Sequence, residues 1–126
     1  MSKLEIFYNP NLPWEEDFLF YEEDDTPVDI ADASFRLHVR DHIDDPKILA
    51  IASTENGKIT IVPEGINIKL TKDDTLNMYQ QGKYVCISDV EITFPSGKVV
   101  PELVRLEFKV NKSSTRDYET DGDTSS

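Results

Sequence analysis

A chain of 126 residues, 38% hydrophobic and 30% charged, is long enough to form one domain with one core without disulfides or structural metals. Its net charge of −12 would repel nucleic-acid backbones and anionic membranes, so direct binding to either is not expected. No apolar run approaches the roughly 20 residues that cross a bilayer, and the first residues lack the pattern of a signal peptide. We expect a globular protein that folds in a reducing cytoplasm.

The first segment, residues 1–16, is interpreted as an N-terminal extension or an edge strand. Residues 3–8 predict a short strand, and two prolines end it because neither has a backbone donor. The only tryptophan follows, and it either caps the core or reaches a neighbouring molecule. The candidate interface residues of this segment are Tyr8, Pro10, Leu12, Pro13 and Trp14.

The next strands show a clear period of two. Phe35, Leu37 and Val39 alternate with polar residues, which predicts a half-buried strand with His38 on its polar face. Asn56-Gly57 suggests a tight hairpin, because this pair tolerates positive φ angles. Further strands are predicted over residues 17–22, 48–52, 59–62 and 66–70.

One short helix is predicted near residues 73–79. Thr71 is a suitable N-cap, Asp74 follows three residues later, and Gly82 stands at the far end. The last third then predicts a long hairpin, in which Pro95-Ser96-Gly97 reverses the chain.

The segment 113–126 is acidic and contains one large apolar residue, Tyr118, which is a further candidate interface residue. Such a composition cannot offset the entropy of ordering by itself, so we expect a flexible tail unless a partner orders it. The folded domain is therefore expected over residues 17–112. Its many short strands and regularly spaced turns predict an all-β fold, an antiparallel β-sandwich of immunoglobulin-like character, with a small closed barrel as the alternative.

A series of motifs resembles a pattern common in bacteriophage virion proteins. Residues 25–41 contain an Asp-x-Pro-x-Asp turn, and the strand after it ends in Val39-Arg40-Asp41. The set is similar to small β domains of tail, baseplate-upper-protein and fibre-attachment components, and it spans roughly residues 17–112. The other segments, in order, are 53–60, 69–71, 82–85, 89–93, 95–99 and 104–110.

The resemblance implies a non-enzymatic sandwich that joins larger virion parts, with no active-site residues to transfer. No long fibre or coiled coil follows the domain, so a connector, collar or baseplate accessory is favoured over a receptor-binding protein. The expected partners are other virion structural proteins, in multiple copies in a symmetric assembly. The expected location is the virion, after assembly in the host cytoplasm.

Catalytic and metal-binding patterns are not apparent in the sequence. It contains no Gly-rich phosphate loop, nucleophile elbow or zinc-binding His-Glu-x-x-His helix, so no enzyme, cofactor or metal is predicted. Cys86 lies in a strand-like run and is interpreted as a buried structural thiol. His38 and His42 would stand about 13 Å apart on one strand, too far to share a metal ion.

Two other functions are considered beside the virion role. A carbohydrate-binding module for host glycans would use a row of exposed aromatic rings. An acidic mimic of nucleic acid is suggested by residues 1–45, where 13 acidic and 3 basic residues give a net charge of −10. The aromatic candidates for the first alternative are Trp14, Phe18, Phe20 and Tyr21.

Overall fold

The computed structural model describes residues 2–81 and 85–111. Within these ranges the chain forms strands and one helix, as the alternating pattern predicts. The elements are β1 (Ser2–Tyr8), β2 (Trp14–Leu19), β3 (Ser34–Val39), β4 (Ala50–Ser53), β5 (Ile59–Val62), β6 (Gly65–Leu70), α1 (Lys72–Gln81), β7 (Val85–Thr93) and β8 (Val99–Val110).

The strands form two sheets, an arrangement consistent with a β-sandwich. The larger sheet has the order β1-β8-β7-β3-β4, and the smaller has the order β2-β6-β5. Apolar side chains from both sheets build one core, in which Leu37 and Leu106 of the large sheet and Ile68 of the small sheet are almost completely buried. Alternate residues of β7 and β8 point into this core and the others point outwards, so the large sheet has a distinct outer face.

One strand pair departs from the antiparallel arrangement that the sequence predicts. β1 runs parallel to β8, with Ser2 opposite Val104 and Tyr8 opposite Val110. The alternation of apolar residues reports which side chains face inwards, but it carries no information on strand direction. The parallel pair is possible because nearly the whole chain separates β1 from β8, which leaves ample length for the connection.

The hairpin expected at Asn56-Gly57 is not formed. β4 pairs with β3 and β5 pairs with β6, so this turn carries the chain from the large sheet to the small one. The Asn56 side chain accepts hydrogen bonds from the backbone N–H groups of Ser53 and Lys58, and Gly57 has a φ of +82°. The turn chemistry was therefore correct, while the pairing of the strands beside it was not.

The helix begins where the sequence predicts it but is longer than predicted. The Thr71 hydroxyl accepts a hydrogen bond from the Asp74 N–H at 3.1 Å, and an Asp74 carboxylate oxygen accepts one from the Thr71 N–H at 2.9 Å. This reciprocal cap satisfies N–H groups that the first helical turn leaves without partners. Thr75 and Met78, both in the helix, are completely buried, and the Cys86 sulfur lies 3.7 Å from the Met78 carbonyl oxygen. The burial expected for Cys86 is confirmed.

In the described part of the chain, no helix is both long and apolar enough to traverse a bilayer.

Candidate protein interface

The structure separates the candidate interface residues of the N-terminal segment into buried and exposed groups. Tyr8 is 1% exposed and Pro10 is also buried, so both belong to the interior of the domain. Trp14 is half-buried, and its ring meets Phe108 edge-on with 5.3 Å between the ring centroids. The Trp14 ring therefore caps the core. Tyr118 lies outside the described residues.

Leu12 and Pro13 remain exposed at the connection between β1 and β2. The connection is anchored on the helix, because the Thr75 hydroxyl donates a hydrogen bond to the Leu12 carbonyl oxygen at 2.8 Å. This bond holds the backbone of Leu12 while its side chain stays 54% exposed. Leu12 and Pro13 thus form a small fixed apolar projection.

β1 is an edge strand with an open side. The Tyr8 carbonyl oxygen accepts a hydrogen bond from the Asn111 N–H at 2.7 Å, so the backbone groups of Tyr8 face the continuation of β8. Backbone groups of successive residues in a strand point to opposite edges, so those of Lys3, Glu5 and Phe7 point away from β8. Across the described ranges, no strand pairs with that side of β1. It therefore presents a row of backbone donors and acceptors.

The other sheet edges are shorter or more strongly charged. β4 and β5 have four residues each, whereas β1 has seven. β2 carries three consecutive exposed acids, Glu15, Glu16 and Asp17. Short edges and charged side chains both oppose the addition of a further strand, so β1 is the least protected edge of the described domain.

Exposed apolar side chains accompany the open edge. Leu4 is 42% exposed although it lies opposite the buried Leu106, and Phe7 on the outer face is 54% exposed. Phe7 lies opposite Lys109, which in turn lies opposite Val85, so these three side chains form one row across three strands. We call this set the Phe7 row. It adds apolar area beside the unpaired backbone of β1.

Charges on the outer face of β1 and β8 are matched diagonally rather than directly. Direct register places Lys3 opposite Arg105 and Glu5 opposite Glu107, which sets like charges side by side. The opposite charges meet diagonally instead, in a Lys3–Glu107 pair at 3.4 Å and a Lys109–Glu5 pair at 2.7 Å. The hydrogen bond from Lys109 lowers the pKa of Glu5, and the same bond raises the pKa of Lys109.

The middle of the outer face carries two close ion pairs. Arg105 binds Asp89 through two nitrogen atoms, at 2.8 and 3.0 Å, and Arg36 binds Glu91 at 2.9 Å. His38 lies half-buried in the same face, where burial lowers its pKa and the charges of Arg36 and Arg40 lower it further. Arg36 and Arg105 each have a carboxylate within 3 Å, so these charges offset one another locally despite the acidic composition of the chain.

Two shallow hollows lie on the same outer face. The larger, about 410 Å³, is lined largely by polar side chains of β3, β4 and β7. The smaller, about 150 Å³, lies beside His38, Ile43 and Pro101. Neither hollow is lined by an exposed aromatic ring. Neither has a nucleophile paired with a base among its lining residues.

One loop brings potential metal ligands together. Asp41, His42 and Asp45 offer ligand atoms within 4.8 Å of one another. Arg40 lies beside them and donates a hydrogen bond from Nη1 to the Asp45 carbonyl oxygen at 2.7 Å, so a positive charge already occupies this loop. His38 is on the outer face of β3 and is not part of the cluster.

The aromatic residues considered for glycan binding do not form an exposed row. Phe18 is buried, Trp14 packs against it, and Phe20 stacks on Phe35 with 6.2 Å between the ring centroids. Only Tyr21 is well exposed, and its hydroxyl donates a hydrogen bond to Glu64 at 2.6 Å.

No protein-family model and no curated protein matches this chain. The candidate interface residues chosen from the sequence lie in the same N-terminal segment as the exposed Leu4 and Phe7, but they do not include these two. The sequence predicts the strand over residues 3–8 that contains Leu4 and Phe7. It does not predict that this strand lies at a sheet edge, because that position depends on the pairing with β8.

Proposed function

We propose that this chain is a non-enzymatic structural protein of a bacteriophage virion, a connector or accessory of the tail, baseplate or head-to-tail region. The observation that carries the proposal is the open edge of β1, flanked by exposed Leu4 and Phe7. An unpaired strand edge beside apolar side chains suits the addition of a strand from another protein, because backbone hydrogen bonds supply affinity and the side chains supply selectivity.

The proposed sandwich is immunoglobulin-like. Lettering the eight strands A, B, C, C′, D, E, F and G in chain order gives B-E-D in the small sheet and G-F-C-C′ in the large sheet. This order resembles that of a variable-type immunoglobulin domain without its C″ strand, with the first strand lying against G. Sandwiches of this type serve many functions, so the order supports the fold and leaves the function to the surface.

The motifs that resemble virion proteins occupy turns that direct the strands. Asp24, just before the motif of residues 25–41, accepts hydrogen bonds from the N–H and the hydroxyl of Thr26 within it and so fixes this turn between β2 and β3. The Gly97 N–H donates to the Phe94 carbonyl oxygen at 2.8 Å in the turn between β7 and β8, where Gly97 has a φ of +93°. These residues have structural roles, in keeping with a family resemblance that transfers no active site.

The outer face also suits repeated contacts in a symmetric particle. Its ion pairs are satisfied within the chain, so a neighbour could cover them without leaving a buried charge unpaired. In a ring or trimer each contact is repeated, so a modest affinity at each site is sufficient.

The experiment is quantitative mass spectrometry of purified phage particles from the source organism. We expect peptides of this chain at a fixed ratio to the other tail proteins, in particles purified through a density gradient. Absence of the chain from such particles, while other minor tail proteins are detected, would overturn the proposal.

A paired substitution links the result to the proposed surface. Phe7→Glu places a charge beside the open edge, whereas Leu19→Glu places the same charge at an equally exposed position on the small sheet; the wild-type side chains are 54% and 52% exposed. We expect Phe7→Glu to reduce incorporation into particles and Leu19→Glu to leave it unchanged. Equal incorporation of both variants would show that β1 is not the contact surface.

A further inference from the structure

We propose that β1 pairs with β1 of a second copy of this chain, antiparallel and about a two-fold axis at Leu4. The pairing would join two large sheets into one continuous sheet across the dimer. This proposal rests on the proposed function, because the pairing uses the same open edge of β1. It identifies a second copy of the chain as the partner of that edge.

The backbone groups of β1 are arranged for this register. The N–H and C=O groups of Lys3 and Glu5 point to the open side, as the bond between Asn111 and Tyr8 requires. A two-fold axis at Leu4 places Lys3 opposite Glu5 of the second copy, and Glu5 opposite its Lys3. Each of these facing pairs exchanges both of its N–H···O bonds, as in any hydrogen-bonded antiparallel pair.

The charges of β1 favour the same register. Within one chain Lys3 faces Arg105 and Glu5 faces Glu107, so both charges of β1 meet like charges directly. Across the proposed axis Lys3 meets Glu5 of the second copy, which is an opposite charge. Together with the Lys3–Glu107 and Lys109–Glu5 ion pairs, the contact gives an alternating series of charges across the seam.

Leu4 provides the apolar centre of the contact. It lies on the core side of the sheet opposite Leu106, which is completely buried, yet Leu4 is 42% exposed. On the axis, Leu4 would pack against Leu4 of the second copy and both would lose contact with water.

Neighbouring registers are less favourable because they place like charges, or a charge and an apolar side chain, opposite each other. An axis at Glu5 places Glu5 against its own copy, and an axis at Lys3 places Lys3 against its own copy. An axis at Ile6 pairs Glu5 with Phe7, which gives no charge complementarity. Of these registers, in which the open-side backbone groups face one another, only the one centred on Leu4 opposes unlike charges.

The experiment uses two charge reversals, alone and mixed, in the full chain. Sedimentation velocity should show a dimer for the wild type. Lys3→Glu alone and Glu5→Lys alone should each weaken self-association by about tenfold or more, because like charges then face each other twice. Mixing the two variants restores both opposite-charge contacts, so native mass spectrometry should show a heterodimer of the two. Lys98→Glu, an exposed charge reversal in the turn before β8, should dimerise like the wild type.

The mixing step separates the contact from a loss of folding, because each variant also loses an ion pair within its own chain. Circular dichroism melts establish that both variants are folded before mixing. A wild type that stays monomeric at its highest soluble concentration would overturn the proposal. So would folded variants that fail to form the heterodimer on mixing. Either result would leave the detection of the chain in particles unaffected, so it would not be mistaken for a failure of the proposed function.

Discussion

The Lys109 ammonium group lies 2.7 Å from the Glu5 carboxylate, across the only parallel strand pair of the described sheets. The pair joins residues 104 positions apart in the sequence and connects β1 to β8 near the Phe7 row. β1 is thus fixed to the sheet along one side, while its other side stays open. A strand that is both ordered and open is pre-organised for pairing, which lowers the entropic cost of binding.

Gly65 is required by a close approach between β6 and β2. A Cβ atom at this position would collide with the backbone carbonyl of Phe18, whereas a Cβ at Gly97 would meet open space. We expect Gly65→Ala to lower the free energy of unfolding by about 3 kcal/mol or more, because backbone must move. Gly97→Ala should lower the free energy of unfolding by only about 1 kcal/mol, because an alanine there must adopt a positive φ angle. Urea unfolding of both variants measures the difference, and equal losses would contradict the close approach.

The reciprocal cap of the helix gives a second prediction. Thr71→Ala removes the hydroxyl that accepts from the Asp74 N–H and should lower the free energy of unfolding by about 1 kcal/mol. Thr71→Ser keeps an acceptor in the same place and should retain most of the stability. Thermal unfolding of the two variants tests this, and the cap would be refuted if Ser and Ala behaved alike.

Core packing is tested by the same change at two leucines. Leu106 is completely buried and Leu19 is 52% exposed. Leu106→Ala should lower the free energy of unfolding by about 2–5 kcal/mol, since it removes apolar contacts and leaves a cavity. Leu19→Ala should cost less than about 1 kcal/mol. Denaturant titration measures both, and a similar cost at the two positions would be inconsistent with the described core.

His38 should make the folded state sensitive to acid. Burial and the nearby Arg36 and Arg40 lower its pKa below the ordinary value of 6.5. A lowered pKa favours the neutral imidazole in the folded state, so this contribution to stability is present above 6.5 and is lost as the pH falls through the folded-state pKa. His38→Gln should therefore lose less stability than the wild type between neutral pH and about pH 5.

Nuclear magnetic resonance provides the direct check on His38. Its pKa in the folded protein should lie below that of the same residue in urea. A folded-state pKa equal to or above the value in urea would contradict the half-buried position beside two arginines.

Local patterns in the sequence predicted which side chains point inwards and the hairpin of β7 and β8, but not the pairing of strands that are distant in the sequence. Phe35, Leu37 and Val39 are buried as their alternation predicts, and the helix cap at Thr71 is confirmed. Alternation and capping depend on residues a few positions apart, so both can be recognised in the sequence. The transfer between sheets at Asn56 depends on pairing with distant strands, and no local pattern records it.

The same distinction explains why the candidate interface residues differ in exposure. Tyr8 is one of the candidate interface residues, but its alternation with Phe7 places it in the core. Leu4 lies on the core side of the sheet, yet it is 42% exposed because β1 is at the edge. Exposure at an edge is a property of the assembled sheet and not of the strand that carries it.

The central claim, that the open edge of β1 binds another protein strand, is tested most directly by amide hydrogen exchange at single-residue resolution. In the dilute, monomeric chain we expect fast exchange at Lys3, Glu5 and Phe7, and slower exchange at Leu4 and Ile6, whose N–H groups face β8. In the associated state the amides of Lys3 and Glu5 should become protected to the level of their neighbours. The account would be contradicted if all five amides were equally protected in the monomer, or if association left Lys3 and Glu5 exchanging as fast as before.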